Sequence, residues 1–538
     1  MGLRVGPPTE GVTANLQLKN RDGMTKTLDN KFGLACRQGN SGRDAGNGRL
    51  PAWTAALVAL GCLGGGSGVH AEGTNRHDGF FTRFDKAYRE QLSSPAYEAP
   101  ATNAPPAQRR GLPAPFDAPP YPTAEWQLGG TPIIGDPNTI PTFPLSQALF
   151  GNPNWGDALK NSGVKIYGWE DISGNLSSSH NTANGQLANF PMAYDSRANR
   201  IEQNQLVLYI DKTPDEFQTD HVDWGFRYSA VYGLDYRYMI SRGFISGQLI
   251  RSGPPGTLGQ PAGQIGSIYG LDMPMMYGDI YIPSVAEGMN IRIGRMISAA
   301  DIEAQLAPNN LMSSHSLLYA YDPYTQWGVL STIKLNNQWT IQLGLSDGND
   351  VAPWQSDPGR QLTGTVMVQY QSPDGKLSFY GGGNAFNNGQ FGYNNLQQYV
   401  GTWTYKFNER IWTSWETWYM YQNNATTGPT YAVPYQNGSF PVRPGYAPEW
   451  ATLDYTMVRL GAATFLTFRN EYFDDCVGNR TGYATCYEEN AVGITWWPSK
   501  LLTIRPEIRF DHAFNLPAYD NGTRKNQFTA SVDAVFYF

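Results

Sequence analysis

Hydrophobic and polar residues alternate one for one along much of the chain after residue 163. The segment NQFTASVDAVFYF shows the pattern, because every second residue from Phe528 to Phe538 is apolar while the residues between them are mostly polar. A strand of about ten residues with one wholly apolar face fits either a half-buried strand of a β-sandwich or a strand of a membrane β-barrel. The remaining chain has to decide between these two.

The connections between the alternating segments favour the barrel. Pairs of segments are joined by the short turns NNQ, QSPDG, NER and PSK, which are rich in turn-forming residues. Much longer loops, such as residues 422–445, separate one hairpin from the next. Short turns at one end and long loops at the other are typical of outer-membrane barrels. A β-sandwich does not require this asymmetry.

The pattern predicts an all-β fold, a transmembrane antiparallel β-barrel of about 16 strands with a range of 14 to 18. An even number is what a bacterial barrel with both chain ends in the periplasm requires. The predicted strands lie near residues 163–176, 201–211, 222–240, 273–282, 288–296, 325–335, 338–346, 362–371, 376–382, 398–407, 411–421, 450–458, 461–473, 489–497, 501–511 and 528–538.

Two of these segments, FLTFRNEYFDD and LLTIRPEIRFD, repeat the same order of apolar, Thr and charged residues. The alternation places their charges on one face and their apolar residues on the other. Burying several charges in a dry core would cost several kcal/mol each unless every one were paired, whereas a water-filled lumen removes that cost. The charged face therefore predicts the inside of a wet barrel.

The composition supports the same class of protein. The chain has 538 residues with Gly 59, Tyr 32 and Trp 15, but only 16% charged residues and a mean hydropathy of −0.43. Aromatic residues without long apolar runs suit a protein whose apolar positions are spread by alternation. The net charge of −7 excludes nucleic acid as an expected partner, because phosphate binding needs clustered Lys and Arg.

The longest apolar run, Ala52–Leu63, is too short for the roughly 20 residues of a membrane-spanning helix. It follows Arg43 and Arg49 and leads to small residues at Val69 and Ala71, which predicts a secretory signal peptide cut after Ala71. The predicted domains are accordingly a signal with an over-long extension at 1–71, a Pro/Ala-rich periplasmic leader at 72–160 and the barrel at 161–538.

Two alternatives stay open in this region. The extension is long for a signal peptide, so Met24 is an alternative start, and ALGC around Cys62 is a degraded lipoprotein signal. The leader reads as a linker, apart from one short amphipathic turn at Phe143–Gly151.

Four cysteines divide into two pairs. Cys36 and Cys62 would leave with the signal, and Cys476 and Cys486 close a short polar loop in an exported chain. We therefore predict a disulfide between the latter two. The six histidines do not cluster beside them, so we expect no metal and no cofactor.

From about residue 163 to 538 the chain resembles the OmpL-like β-barrel porin family of Gram-negative outer membranes. The resemblance rests on VKIYGWEDISGNLSSS, DWGFRYSAVYGLDYRY, the run MNIRIGRMISAADIEAQLAPNNLMSSHSLLYAYDPYTQWG and the two Arg-x-Glu strands. Family members often carry Ile-Pro just before the Asp of that run, where this chain has Ala299 and Ala300. The resemblance implies passive diffusion of ions and small hydrophilic solutes. Phe536 and Phe538 also resemble the terminal signal that the barrel-assembly machinery reads.

The loop at 298–324 joins the fifth and sixth predicted strands, and in general porins a connection of that type folds into the lumen. We therefore expect Asp301 and Glu303 to narrow the lumen and to face the basic wall residues Arg227, Arg237 and Arg292. A transverse field of that kind favours polar solutes. The alternative is an external loop with a short helical turn.

The predicted inward residues carry charges of both signs, and they would form a polar lining, a ladder of salt bridges that stiffens the wall, or both. They are Asp223, Arg227, Asp235, Arg237, Arg292, Arg469, Glu471, Arg505, Glu507, Arg509 and Asp511. The expected partners are outer-membrane lipid and lipopolysaccharide, the assembly machinery, small hydrophilic solutes and further copies of the chain in a homotrimer.

Other functions fit single features. Glu471 and Glu507 could be the carboxylate pair of an exported carbohydrate-binding or glycoside-hydrolysing protein, although both recur within one repeated wall pattern. A structural barrel that does not conduct is a further alternative. SDGND at 346–350 lacks the later Glu of a calcium loop and reads as a plain turn. The aromatic residues at strand ends predict interfacial girdles, namely Trp412, Trp415, Trp418, Tyr419, Trp496 and Trp497.

Overall fold

The computed structural model describes residues 78–95, 142–181, 187–241, 243–245, 248, 268–298, 301–354, 362–387, 396–408, 410–423 and 445–538. The predicted signal peptide, its cut after Ala71 and most of the Pro/Ala-rich leader lie outside these residues.

One antiparallel sheet closes on itself, because β1 pairs with β17 on one side and with β2 on the other. The strands are β1 Lys165–Ser177, β2 Ile201–Lys212, β3 Asp223–Gly233, β4 Gly270–Asp272, β5 Met276–Ile282, β6 Met289–Ile297, β7 Thr325–Lys334, β8 Trp339–Asn349, β9 Thr363–Gln371, β10 Leu377–Phe386, β11 Gln397–Asn408, β12 Ile411–Asn423, β13 Tyr446–Gly461, β14 Thr464–Asp475, β15 Thr485–Ser499, β16 Leu502–Ala513 and β17 Asn526–Tyr537.

The wall of the barrel has sixteen positions, because β4 and β5 pair with successive parts of β3 and share one position. The predicted fold and strand number are therefore confirmed. The strand predicted at 222–240 is too long, since β3 ends at Gly233 and a 3₁₀ turn follows at Asp235–Tyr238. Connections alternate between short turns and long loops, which defines a short-turn end and a long-loop end.

Polar side chains are buried inside the barrel and apolar side chains are exposed outside it. On β17, Phe528 and Val532 are 47% and 45% exposed, whereas Thr529 and Asp533 are each 1% exposed. This is the reverse of a soluble domain, and it matches a wall whose outer surface meets lipid. Among the described residues, no helix is both long enough and apolar enough to cross a bilayer.

The aromatic prediction is half correct. Trp415, Tyr419 and Trp496 are exposed on the outer surface, as an interfacial girdle requires. Trp412, Trp418 and Trp497 are instead buried inside the barrel. The physical reason is the period of two, which sends neighbouring aromatic residues of one strand to opposite faces.

Four α-helices occur in the described residues, namely α1 Phe80–Ser93, α2 Pro144–Phe150, α3 Gly156–Asn161 and α4 Leu317–Ala320. The short turn predicted at Phe143–Gly151 is found as α2. The prediction that the leader is only a linker is wrong for α1. The Arg83 Nε atom donates a hydrogen bond to the Ala148 carbonyl oxygen at 2.9 Å, so α1 and α2 pack together.

These two helices cover the place where the barrel closes at its short-turn end. Gly168 and Phe538 exchange two backbone hydrogen bonds of 3.0 and 2.9 Å, which extend the pairing of β1 with β17. Phe84 of α1 and Ala148 of α2 pack against Leu206 and Phe538 in one apolar cluster. Helices α1 and α2 therefore pack against Phe538, the residue that follows β17.

Cys476 and Cys486, both in the described part of the chain, are free, so the predicted disulfide is wrong for this structure. The register explains why. Cys486 lies opposite Asp474 of β14, whereas Cys476 lies two residues beyond Asp474, just after the end of that strand. Diagonal neighbours of this kind are about 7 to 8 Å apart, beyond the usual span of a disulfide.

Candidate functional site

The connection between β6 and β7 folds into the barrel instead of outward. We call residues 301–324 the inward loop; every one of them is buried except Ala304, which is half-buried. The loop leaves the wall at β6 and makes its main contacts with β12 to β16, which lie about halfway round the sheet. It therefore crosses the full width of the barrel.

Carboxylates on the wall accept hydrogen bonds from backbone N–H groups of the inward loop. The amide of Ile302 donates to Glu416 at 2.8 Å and the amide of Leu317 donates to Glu471 at 2.8 Å. The amide of Ser314 donates to Glu507 at 2.9 Å. Three strands, β12, β14 and β16, therefore hold the loop by hydrogen bonds to its main chain.

Guanidinium groups on the same side of the barrel bind the loop carbonyl oxygens. Arg469 donates to Ser314 at 2.7 Å and Arg505 donates to Asn310 at 2.7 Å. Arg480, from the β14–β15 connection, donates to the carbonyl of Tyr321 at 2.7 Å. A loop without regular structure has main-chain groups that need partners when buried. The charged wall supplies those partners.

The charges of the wall also pair with each other. Arg469 Nε lies 2.7 Å from Glu489, and Arg469 Nη1 lies 3.0 Å from Glu303 of the inward loop. Arg509 lies 2.7 Å from Asp511, and Arg505 forms an ion pair with Asp533. Buried charges need both an opposite charge and hydrogen bonds to offset desolvation, and these side chains have both.

The inward loop is further packed by aromatic rings. His315 stacks against Tyr194 with ring centroids 3.8 Å apart, and its Nε2 atom lies 2.8 Å from the Ala304 carbonyl oxygen. Burial lowers the pKa of His315 to about 3, so the ring is neutral at ordinary pH and donates that hydrogen bond. Tyr455 donates a hydrogen bond to Glu303.

Two of the three basic residues expected to face the loop pair with acidic neighbours on adjacent strands. Arg227 pairs with Asp211 at 2.9 Å and Arg292 pairs with Asp279 at 2.9 Å, each a neighbour on an adjacent strand. The acidic residues of the loop lie with other groups. Glu303 contacts Arg469, and Asp301 lies beside Asp322 and Glu416. Register decides this result, because cross-strand neighbours meet before side chains on opposite walls can.

Three further predicted residues lie away from the inner wall of the strands. Asp223 is half-buried at the start of β3, where it contacts Lys212 at 3.1 Å and accepts the amide of Asp215 at 2.8 Å. Asp235 and Arg237 are buried in the 3₁₀ turn after β3, and Asp235 accepts a hydrogen bond from Gln205 at 2.9 Å. Asp235 and Arg237 therefore belong to a turn, whereas Asp223 is the first residue of β3.

Sequence reasoning missed several charged residues of the same interior. They are Asp211, Asp279, Arg295, Glu416, Glu489 and Asp533, all buried. Each occupies an inward position of its strand, so the period of two could have found them. Their partners could not have been read from the chain in this way.

Residues 163–538 match a protein family described as "Putative beta-barrel porin-2, OmpL-like". A comparison with curated protein sequences gave no match. Among solved structures, the chain is similar to an anion-selective porin from Comamonas acidovorans, with 9% identity, a TM-score of 0.43, and coverage of 70% of this chain and 99% of that one.

The outer membrane channel DcaP of Acinetobacter baumannii has 9% identity and a TM-score of 0.41, covering 70% of this chain and 98% of that one. A loop-deletion variant of OmpT of Vibrio cholerae has 10% identity and a TM-score of 0.41, covering 70% and 99% of the two chains.

Proposed function

The chain belongs to the OmpL-like family of β-barrel porins, and we propose that its inward loop narrows the lumen and filters what passes. A porin of the outer membrane allows passive diffusion of ions and small hydrophilic solutes. The observation that carries the proposal is that the loop crosses the barrel and is held on the far wall by ion pairs and main-chain hydrogen bonds.

The charges of the wall take part in this filter through the loop. The candidate pore-lining residues of β14 and β16 pair with one another or with the loop, as Arg469 does with Glu489 and Glu303. Most inward charged side chains therefore lie beside a side chain of opposite charge. We propose that the path through the lumen is polar and has little charge selectivity. Asp301 and Glu303 act as parts of the constriction that fasten the loop.

Ala304 supports the most direct test of the constriction, because it is the one half-buried residue within the inward loop. Substitution Ala304→Cys, in a background with the native cysteines replaced by Ser, provides a thiol for a charged methanethiosulfonate reagent. We expect the reagent to lower the single-channel conductance of the folded protein in a planar bilayer by roughly half.

The matched control is Ala320→Cys in the same loop, which is 1% exposed and should not react. Unmodified protein should give conductance steps that rise with salt concentration. A single-channel conductance that is unchanged after modification at residue 304 would contradict the constriction. A folded protein that shows no conductance steps would favour the alternative of a non-conducting barrel. The many contacts between the inward loop and the wall are consistent with that alternative as well.

Several expectations extend this proposal. We propose that a signal peptide is removed after Ala71, that residues 72–160 form a periplasmic leader, and that Phe536 and Phe538 serve as the assembly signal. Lipopolysaccharide and a homotrimer are the proposed partners in the membrane. The glycosidase alternative finds no support at Glu471 and Glu507, whose carboxylates accept hydrogen bonds from the inward loop.

A further inference from the structure

Three carboxylates meet where the two ends of the inward loop contact the wall. Asp301 begins the loop, Asp322 lies near its end, and Glu416 belongs to β12. One carboxylate oxygen of each lies within 4.8 Å of the other two. All three residues are buried, and Asp322 and Glu416 are 1% and 0% exposed.

The surrounding protein compensates these charges only in part, because Arg480 interacts electrostatically with Asp322, and the carboxyl of Asp301 hydrogen-bonds with those of Asp322 and Glu416. Within the described residues, no donor group outside the trio bonds to either carboxylate oxygen of Asp322, and one oxygen each of Asp301 and Glu416 also lacks such a donor. Glu416 Oε2 accepts the amide of Ile302 at 2.8 Å. The nearby Arg480 donates to the main-chain carbonyl oxygens of Tyr321 and Asp322. Three buried carboxylates this close can all be ionised only if a cation lies among them. Without a cation they must share protons.

A hydroxyl group outside the trio gives an independent observation. The Tyr319 side chain is 2% exposed, and its oxygen has no hydrogen-bond partner within the described part of the chain. Its electrostatic neighbours are Tyr194 first, and then Asp301 and Asp322. A buried hydroxyl normally finds a partner. A ligand among the carboxylates would satisfy this hydroxyl as well as the carboxylate oxygens.

We propose that Asp301, Asp322 and Glu416 bind one divalent cation of the hard, oxygen-preferring class, and specifically Ca²⁺. Ca²⁺ takes six to eight oxygen ligands in flexible geometry, which suits carboxylates from a loop and a strand. Soft metals are disfavoured because the trio offers no sulfur or imidazole. The bound ion joins both ends of the inward loop to β12, so it fastens the loop independently of which solutes pass.

The test measures binding of Ca²⁺ alone to protein refolded from denaturant into detergent, which removes lipopolysaccharide as a competing source of sites. Equilibrium dialysis should give one Ca²⁺ per chain, with Kd of about 10⁻⁴ to 10⁻³ M as in other extracellular sites. Asp322→Asn and Glu416→Gln should each weaken binding at least tenfold.

Glu449→Gln is the matched control, because Glu449 is also a fully buried wall carboxylate, at 0% exposed, yet lies outside the trio. It should bind like the wild type. No stoichiometric Ca²⁺ in the wild type, unchanged binding in both trio variants, or an equal loss in Glu449→Gln would each overturn the proposal.

A second measurement does not depend on the variants folding. Tb³⁺ replaces Ca²⁺ at oxygen sites and emits when a nearby aromatic ring is excited, and Tyr319 lies beside the trio. Wild-type protein should show Tb³⁺ emission that excess Ca²⁺ removes. Absence of this emission would overturn the proposal of a bound cation. Protons shared between the three carboxyl groups would then explain how they lie so close together.

Discussion

At the scale of single residues, Gly168 shows how closely the barrel is packed where it closes. A Cβ atom at Gly168 would overlap the Val207 carbonyl oxygen and would lie 2.9 Å from the ring of Phe538. Because backbone cannot move aside as a flexible side chain can, we expect Gly168→Ala to cost about 1 to 3 kcal/mol of stability, the usual range for overpacking. The measurement is made by heating samples to increasing temperatures and running them on a denaturing gel. The midpoint is the temperature at which half of the folded band is lost.

Gly174 provides the comparison on the same strand. Its nearest atom to an added Cβ is Ile201 Cγ1 at 3.4 Å, an ordinary contact. Gly174→Ala should therefore shift the midpoint by little. Equal shifts in the two variants would show that the close approach at Gly168 does not limit stability.

At the scale of elements, substitutions in α1 can show whether this helix is held against the barrel. Phe84 is 5% exposed and packs near Phe538, whereas Phe81 on the same helix is 71% exposed. Truncating a buried Phe costs about 3 to 5 kcal/mol. We expect Phe84→Ala to raise tryptic cleavage after Arg83 and Lys86 roughly a hundredfold, since proteolysis follows local opening.

Phe81→Ala removes a ring of the same size from the exposed side of α1, so it should leave the cleavage rate near that of the wild type. Mass spectrometry of the products identifies the cut sites. Similar rates in the two variants would mean that α1 is not held by the contact at Phe84. Sequence reasoning missed α1, although Phe80, Phe84, Ala87 and Tyr88 recur at the spacing of an amphipathic helix.

At the scale of the whole molecule, buried acids outside the strands make stability depend on pH. Loss of solvation raises the pKa of Asp350 to about 6, of Asp195 to about 7 and of Glu216 to about 8. In the unfolded chain these groups titrate near pH 4, so the folded state binds more protons. Stability should be highest below about pH 4 for these groups and fall as pH rises to about 8.

Thermal unfolding at pH 5 and pH 9 checks this expectation, with the higher midpoint at pH 5. Glu216→Gln should reduce the difference, since Gln does not titrate. Asp220→Asn in the same turn changes a side chain that is 82% exposed and should leave the difference unchanged. A higher midpoint at pH 9 in the wild type would show that these three buried acids do not control how stability depends on pH.

The sequence by itself determined the architecture of this protein. Alternation with a period of two is a local property, so it indicated the strands, their outward and inward faces, and the polar interior. The alternating lengths of the connections indicated the barrel, and the Arg-x-Glu repeats indicated charges inside it.

Only the tertiary structure decided which of those charges meet. Arg469 pairs with Glu303 and Glu489, and Arg227 pairs with Asp211. The trio of Asp301, Asp322 and Glu416 likewise joins positions far apart along the chain. Such contacts depend on strand register and on the path of the loop through the barrel, and neither leaves a periodic signal in the sequence.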